Sequence, residues 1–576
     1  MEYAMNDAIL ILSLGPVQGF IADARRVGDL DAGSEVLKQL SRAAGQAIQE
    51  GGTLIYPAHL KDDVPNKLVA RVPGERVEAI AEAAQEAIER EWQTYVSTAR
   101  NFLATHGPAP DACWNAIWKR QTTTFWETYW AAASLDGDYK AAYKKASRAF
   151  DATKRTRVFP QVKEQGLKDS LSGQRSALRT ADLRADAYWA RVAASPKVKQ
   201  AQLRPEGRER LDALGAIKRW GELTDQSPSV SHVAATDFLM AAKKQSSALD
   251  MYRRTIKDLL GDHRYRVSDD PVWPYDGDLF FEETLTENRL ADSYGLTHPQ
   301  PGLLEAARET LKKTLYPVAG RPSPYYAVIV FDGDGIGEMV SRCETEEEHR
   351  EFSHTLLNFA RQAKGLIQEH DAHPVYVGGD DVLALAPLSK ALPLAQTLAE
   401  RFEEIVKGTA SAGIALAHHL HPLDATLSAA RAAERRAKNV AGKASVCVRT
   451  LRRSGEQFDV RSKWKLLDDF APLVEFLHTG VLSSKLPYAV AESAYAFSEP
   501  GAAFESELKR LLQRHHDPKK WSEDEAEWAA RLRTWAEGLP EPPEQPAAYS
   551  PQKTSQAEEL ARWLALARFL AQGGAE

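Results

Sequence analysis

Asp332, Asp380 and Asp381 are the residues of this 576-residue chain best placed to do chemistry. Asp332 ends the apolar run Tyr325-Tyr326-Ala327-Val328-Ile329-Val330-Phe331 and opens an acidic glycine turn, Asp332-Gly333-Asp334-Gly335-Ile336-Gly337. Asp380 and Asp381 stand in Gly378-Gly379-Asp380-Asp381, between short apolar runs at 374–377 and 382–386. Carboxylates on two adjacent strand ends offer hard oxygen ligands to Mg²⁺ or Mn²⁺. The glycines admit positive φ and leave room for a triphosphate against the backbone. Together they point to a metal-dependent enzyme that handles nucleoside triphosphates. A plain hairpin turn with solvated aspartates would account for Gly-Gly-Asp-Asp alone, but not for the second acidic strand end upstream.

The elements that must position these groups follow from the pattern around them. Two apolar runs about a glycine turn predict a hairpin. The preceding strand at 325–331 leaves room for helices before it. Downstream come a helical segment at 392–406, a strand at 411–417, a helical segment at 423–439 and a strand at 444–448. The order β-α-β-β-α-β is the ferredoxin-like split arrangement, an antiparallel sheet with helices on one face. The expected fold class is α+β: two ferredoxin-like (palm/cyclase-type) domains with a helical insert and a C-terminal helical domain. Patterning divides the chain into a first palm-like domain over 1–110, with strands near 9–14, 53–56 and 68–72 and a long helix from 75 to about 102. A mainly helical linking domain follows over 111–320, with a basic stretch at 140–220. The second palm occupies 321–455. A helical region covers 456–576, with Trp521, Trp528, Trp535 and Trp563 and a proline-rich break at 540–551.

The segment around Asp332 and Gly378-Gly379-Asp380-Asp381 resembles the GGDD palm in the large polymerase-cyclase subunit of type III CRISPR effector complexes. It is more distantly similar to diguanylate and adenylyl cyclases. Separate blocks extend the resemblance to the type III-B branch: residues 9–21, Ala24-Arg25-Arg26, residues 29–34, Lys218-Arg219, Ser227-Pro228-Ser229 and residues 273–279. The resemblance implies a subunit that joins ATP molecules 3′ to 5′ and closes them into cyclic oligoadenylate when target RNA pairs with a guide RNA, in company with the other subunits of the complex. By the same resemblance Asp332, Asp380 and Asp381 are catalytic, and together with the Gly333 carbonyl they hold two Mg²⁺ or Mn²⁺ ions. Gly378, Gly379, Gly335, Ser411 and Lys438 bind nucleotide, Lys438 as a phosphate-binding lysine and Ser411 as a base-edge contact. Asp334 reads as a helix cap rather than a third ligand. At the matching strand end the first palm has Ser13-Leu14-Gly15-Pro16, with no carboxylate, so one active and one degenerate palm are expected, the degenerate one positioning the acceptor nucleotide.

Departures from the family carry expectations too. Many relatives have an HD-type nuclease domain before the first palm. This sequence opens close to its first strand, so HD cleavage of single-stranded DNA is not expected. Asp169 and Ser172 stand where relatives often show Cys-x-x-Cys. Cys113, Cys343 and Cys447 cannot make a four-thiolate site, and no zinc is expected. His418, His419 and His421 have no acid at ligand spacing and read as loop residues. Trp114, Trp118, Trp126 and Trp130 read as core or subunit-interface anchors. Two other classes fit the same motifs: a free-standing nucleotide cyclase of the diguanylate type, and a non-catalytic assembly scaffold.

Composition places these features in a large protein with several cores. The chain is 43% hydrophobic and 27% charged, enough for three or four domains. Three cysteines without a pairing pattern suit a reducing compartment, and the apolar run at 9–14 is too short for a membrane span, so a cytoplasmic location with no membrane partner is expected. The net charge of −7 is unevenly spread: residues 140–220 hold 20 Lys and Arg against 8 Asp and Glu. With Tyr143, Phe150, Phe159, Tyr188 and Trp189 interleaved, that stretch suits RNA backbone contact with base stacking.

Overall fold

In a computed structural model of the chain, residues 7–574 are described except for 62, 157–163, 199–201, 222–226, 262–269 and 541–554. Phe159 and most of the proline-rich break lie outside the described residues.

The first strand, β1 (Asp7–Gly15), is buried along all but its two ends, as a strand covered on both faces must be. Its neighbours are β3 (Lys67–Pro73) and β4 (Glu127–Ser134), both antiparallel to it, and β2 (Thr53–Tyr56) pairs with the outer side of β3. The sheet order is β2-β3-β1-β4. Leu10, Leu12 and Leu14 point to one face and pack with the Val27–Gln49 and Val77–His106 helices. Ile9 and Ile11 point to the other, where the Tyr139–Arg155 helix lays down Ala142, Ala146 and Phe150. The alternation along β1 and the i, i+4 spacing along these helices produce the same two-sided core. The sheet thus takes its fourth strand, β4, from beyond the boundary drawn at residue 110.

The second sheet is built around β5 (Tyr325–Gly333), flanked by β7 (Asp381–Pro387) and β8 (Ala410–His418), both antiparallel. The hairpin partner β6 (His373–Gly378) lies outside β7. β9 (Ser445–Leu451) runs parallel to β8, and β10 (Gln457–Lys463) closes the order β10-β9-β8-β5-β7-β6. β10 falls within the region expected to be helical from 456. On one face Phe331, Phe359 and Phe402 interlock, with Phe359 and Phe402 edge to face at 4.9 Å, under the Glu346–Glu369 and Ala391–Val406 helices. Each such burial contributes about 1.5–3 kcal/mol. The Leu423–Lys438 helix covers the other face through Leu423, Leu427 and Ala430.

The two sheets share one plan: each places its fourth strand beside its first, then its third, then its second, all antiparallel. They meet through cross-links of one against the other. Arg71 pairs with Glu346 at 2.8 Å, the Ala58 amide donates to Ser353 Oγ at 2.8 Å, Asp63 holds Lys364 at 2.7 Å, and Asp31 holds His373 at 2.8 Å.

The linking helices wrap the first sheet's core, with Trp114, Trp189 and Trp273 fully buried. Much of the basic stretch faces inward. Arg219 is sandwiched between Asp29 at 2.9 Å and Glu209 at 2.7 Å, Arg175 binds Asp23 and Asp212, and the Lys218 ammonium donates to the carbonyls of Phe20 and Asp23. Phe150, Tyr188 and Trp189 are buried, so base stacking on them is corrected to core packing. Lys144, Lys145, Arg148 and Arg155 remain exposed on the Tyr139–Arg155 helix. Trp114 and Trp118 stack on each other at 4.9 Å as core residues, and Trp126 packs on Phe20 and Trp92. At the C-terminal end Trp563 Nε1 donates to the Arg461 carbonyl at 3.1 Å and seats the Gln556–Ala571 helix on β10. Among the described residues no helix is long and apolar enough to cross a membrane.

Candidate active site

The ladder between β5 and β7 sets Asp332 directly opposite Asp381, and Gly379-Asp380 forms the two-residue turn from β6. One carboxylate oxygen from each of Asp332, Asp380 and Asp381 can be chosen so that all lie within 4.8 Å of one another. Glycine is required at this turn for two reasons. Gly379 has φ of +72°, and a Cβ on Gly378 would collide with the Tyr376 ring and hydroxyl. At the β5 end a Cβ on Gly333 would lie 2.7 Å from Phe402 and 3.0 Å from Asp380, so only glycine lets the two acidic strand ends approach. The Gly333 amide donates to the Asp380 carbonyl at 3.2 Å and locks them together.

Electrostatics follow from that crowding. The surrounding chain and the Asp332 charge push the Asp380 carboxyl up to about 7, against the pull of Lys438. Asp381 is pushed well above the carboxylate range by desolvation and by Asp380 and Asp332, though the residue keeps an open side to solvent. The Lys438 ammonium contacts Asp332 and lies 3.3 Å from Glu434. Burial alone would lower its pKa, but Asp332 and Glu434 outweigh that and the net shift is upward, so it stays charged. The donor set is all carboxylate oxygen, mutually repelling and short of countercharge, and it fits one or more hard divalent cations.

Other residues singled out from the sequence are placed differently. Gly335 has φ of +71° with open space where a side chain would stand, so its role is conformational. Ser411 is fully buried and its hydroxyl donates to Asp334 at 2.9 Å, which takes it away from any base edge. Asp334 does not cap the Ile336–Arg342 helix. It accepts from Thr409 Oγ1 at 2.9 Å, Ser411 Oγ and the Ala444 amide at 3.0 Å, tying the acidic turn to β8 and to the approach to β9.

Two groups escaped the sequence reading. Tyr56, at the end of β2, puts its hydroxyl 3.2 Å from where a Cβ on Gly379 would stand, so the first domain reaches the turn of the second; burial and Asp380 raise its pKa well above the usual phenol range. No local pattern marks it. Glu283 supplies the acid that His418 and His419 lack in sequence, at 3.1 Å and 3.5 Å. The Leu420 amide donates to His418 Nδ1, which leaves His418 Nε2 as the protonated nitrogen facing Glu283. That ring's lone pair is therefore spent, and the trio reads as a hydrogen-bonded cluster rather than a metal site.

Paired sheets with a carboxylate triad and a phosphate-binding lysine at one strand end define a palm of the nucleotidyltransferase and cyclase class. Residues 325–447 match the family model described as Cas10/Cmr2, second palm domain, and residues 9–63 match that of CRISPR-associated protein Cmr2, N-terminal. The chain is thus related to the Cas10/Cmr2 large subunits of type III-B CRISPR systems, as the sequence blocks implied. It is 29% identical over 257 residues to the CRISPR system Cmr subunit Cmr2 of Pyrococcus furiosus, a match that spans 37% of this chain and 28% of that relative's length. In fold it is similar to a chain of the type III-B Cmr-beta complex in its apo state, with TM-score 0.64 and 13% identity over 99% of this chain and 82% of that one. A chain of Cmr-beta bound to cognate target RNA gives 0.66 and 13% over 100% and 84%.

Proposed function

We propose that this protein is the large subunit of a guide-RNA-directed type III-B effector complex and that, when target RNA is bound, it links ATP molecules 3′ to 5′ and closes them into cyclic oligoadenylate. The observation that carries the reading is the convergence of Asp332, Asp380, Asp381 and Lys438 at one strand end of the second sheet, with Tyr56 of the first sheet against the same turn. On this reading both sheets are ferredoxin-like palms, 1–110 extended by β4 forming the first and 321–455 the second.

The chain's own groups divide the work. Asp332, Asp380 and Asp381, with the Gly333 carbonyl as a further candidate, would hold Mg²⁺ or Mn²⁺, which when bound neutralises the triphosphate and acidifies the attacking hydroxyl. Gly378, Gly379 and Gly335 keep side chains out of the path of the phosphates. Lys438 exchanges Asp332 for a phosphate oxygen and steadies charge on the leaving group. The 3′-oxygen of one nucleotide bonds to the α-phosphorus of the next, the bond from that phosphorus to its bridging oxygen breaks, the hydroxyl proton passes to solvent, and pyrophosphate departs. The first palm holds the acceptor.

The test is incubation of the purified complex, with and without target RNA, with each labelled NTP and Mg²⁺ or Mn²⁺, beside an Asp380→Ala/Asp381→Ala variant. Oligomers from ATP alone, dependent on RNA and absent from the variant, are expected. Cyclic dimers from GTP without RNA would reassign the protein to the free-standing cyclases, and no product under any condition would leave a scaffold.

A further inference from the structure

We propose that Arg431 and Arg435, on a helix of the second palm, hold the 5′-phosphates of the acceptor nucleotide seated on the first palm and so select a phosphorylated acceptor. This rests on the reading above and assigns residues to its second substrate.

Positions 431, 434, 435 and 438 follow i, i+3, i+4, i+7 spacing and share one face of the Leu423–Lys438 helix. Lys438, at one end of that face, contacts Asp332. Arg431, about 10 Å away along the axis by the helical rise, donates to the Gln18 carbonyl of the first domain at 3.4 Å. One helix face therefore runs from the carboxylate triad to the first-palm turn that follows β1.

The charges along this face are unevenly matched. Glu434 pairs with Lys438, and Arg436, off the face, pairs with Asp459. Among the described residues neither Arg431 nor Arg435 has a carboxylate partner, although Arg431 is half-buried. Burial first, and Arg435 second, weigh against the Arg431 charge. A cation taken partly out of water beside another cation lacks the anion that would stabilise it.

The surface opposite is shaped to bring one. Pro16, Gln18 and Gly19 are exposed, and a side chain added at Gly15 or Gly19 would meet nothing within 4 Å. This turn follows the first strand of its sheet, as Gly333–Ile336 follows β5, but Ser13-Leu14-Gly15-Pro16 offers no carboxylate and hence no way to neutralise phosphate through a metal. A polyphosphate there needs side-chain cations, and guanidinium forks match phosphate oxygens two at a time. The second palm supplies them across the cleft.

The test uses the assembled complex with an Arg431→Gln/Arg435→Gln variant and an Arg431→Lys control. Two readouts are taken: the rate of first-bond formation with ATP as donor and either ATP or adenosine as acceptor, and the number of non-hydrolysable ATP analogues bound per chain with Mg²⁺. The double variant should lower the preference for ATP over adenosine as acceptor by about ten- to a hundredfold, the scale of charge-assisted hydrogen bonds, and should bind one analogue where the unaltered chain binds two, with Arg431→Lys partly restoring both. An unchanged acceptor preference, or two analogues still bound by the double variant, overturns the proposal. If the unaltered complex makes no product yet binds two analogues and the variant one, the subsite stands while the cyclase reading falls.

Discussion

The two palms are the same plan put to different use, and the difference sits in one pair of residues. In the second palm the end of the central strand and the start of its hairpin neighbour place Asp332 opposite Asp381. In the first palm the corresponding pair is Ser13 opposite Lys67. A carboxylate pair demands a metal cation. A serine and a lysine cannot hold one, but they can face phosphate directly. Lys67 is itself largely enclosed, which lowers its pKa, and its ammonium lies 5.8 Å over the Phe150 ring. The helices that follow the fourth strands, Tyr139–Arg155 and Leu423–Lys438, each reach the opposite palm: Lys140 meets Glu344 at 2.5 Å, and Arg431 meets Gln18. One scaffold thus yields a metal-bearing half and a cation-bearing half, each lending a helix to the other.

The sharpest way to break that comparison is to make the halves alike. Asp332→Asn should lower product formation at least a thousandfold, the cost expected when a metal-ligating carboxylate is lost from a phosphoryl-transfer site, as read by oligoadenylate synthesis in the complex. Retention of more than a tenth of the activity would mean that the second palm is not the metal-bearing half. The first palm is held by charge of another kind. Arg219 lies between Asp29 and Glu209, all three almost fully buried. Arg219→Leu leaves two buried carboxylates uncompensated and should cost about 3–5 kcal/mol in urea unfolding. The same cluster makes the fold sensitive to acid. Burial alone would raise the pKa of Glu209, but Arg219 and Arg25 overcome it and hold the group at about 2. Because the folded value lies below the unfolded one near 4.5, its contribution is complete above about 4.5 and is lost as pH falls toward 2. A smaller effect belongs to Lys438: Lys438→Ala should reduce kcat/KM for ATP about ten- to a hundredfold, as one charged phosphate contact is removed. Lys438→Arg should recover part of it.

What the sequence made legible is local, and what it hid is distant. Asp332, Asp380, Asp381 and Lys438 could be singled out because glycine turns and strand ends mark themselves within a few residues. β10 reads Gln-Phe-Asp-Val-Arg-Ser-Lys, a polar edge strand whose buried side depends on Trp563, about a hundred residues on. β4 begins with Glu-Thr-Tyr-Trp directly after a helix rich in tryptophan, and its pairing with β1 spans the whole first domain. The basic stretch misled because its counter-ions, Asp23, Asp29, Asp212 and Glu209, come partly from the first domain, and a running charge count cannot see pairing across a fold. Ser411 looked free for a base edge because its partner, Asp334, lies on another strand end.

The smallest expected effect probes the seam between the halves. His349 opens the long second-palm helix, is buried, and its Nδ1 shares a 2.6 Å hydrogen bond with the Tyr139 hydroxyl of the first-palm helix. Burial, with the Lys67 charge second, lowers its pKa to about 4. Between about 6.5 and 4 the unfolded chain therefore takes up a proton that the folded chain refuses, so stability is complete above about 6.5 and declines as pH falls, by up to about 1.4 kcal/mol per pH unit. Substituting His349→Gln keeps a hydrogen-bonding side chain without a titrating ring and should flatten that segment of the stability profile while leaving the acid limb below pH 4, set by Glu209, in place. If instead the profile between 6.5 and 4 is the same in His349→Gln, the seam is not where the two palms sense protons, and the buried contact between Tyr139 and His349 serves only to pack one half against the other.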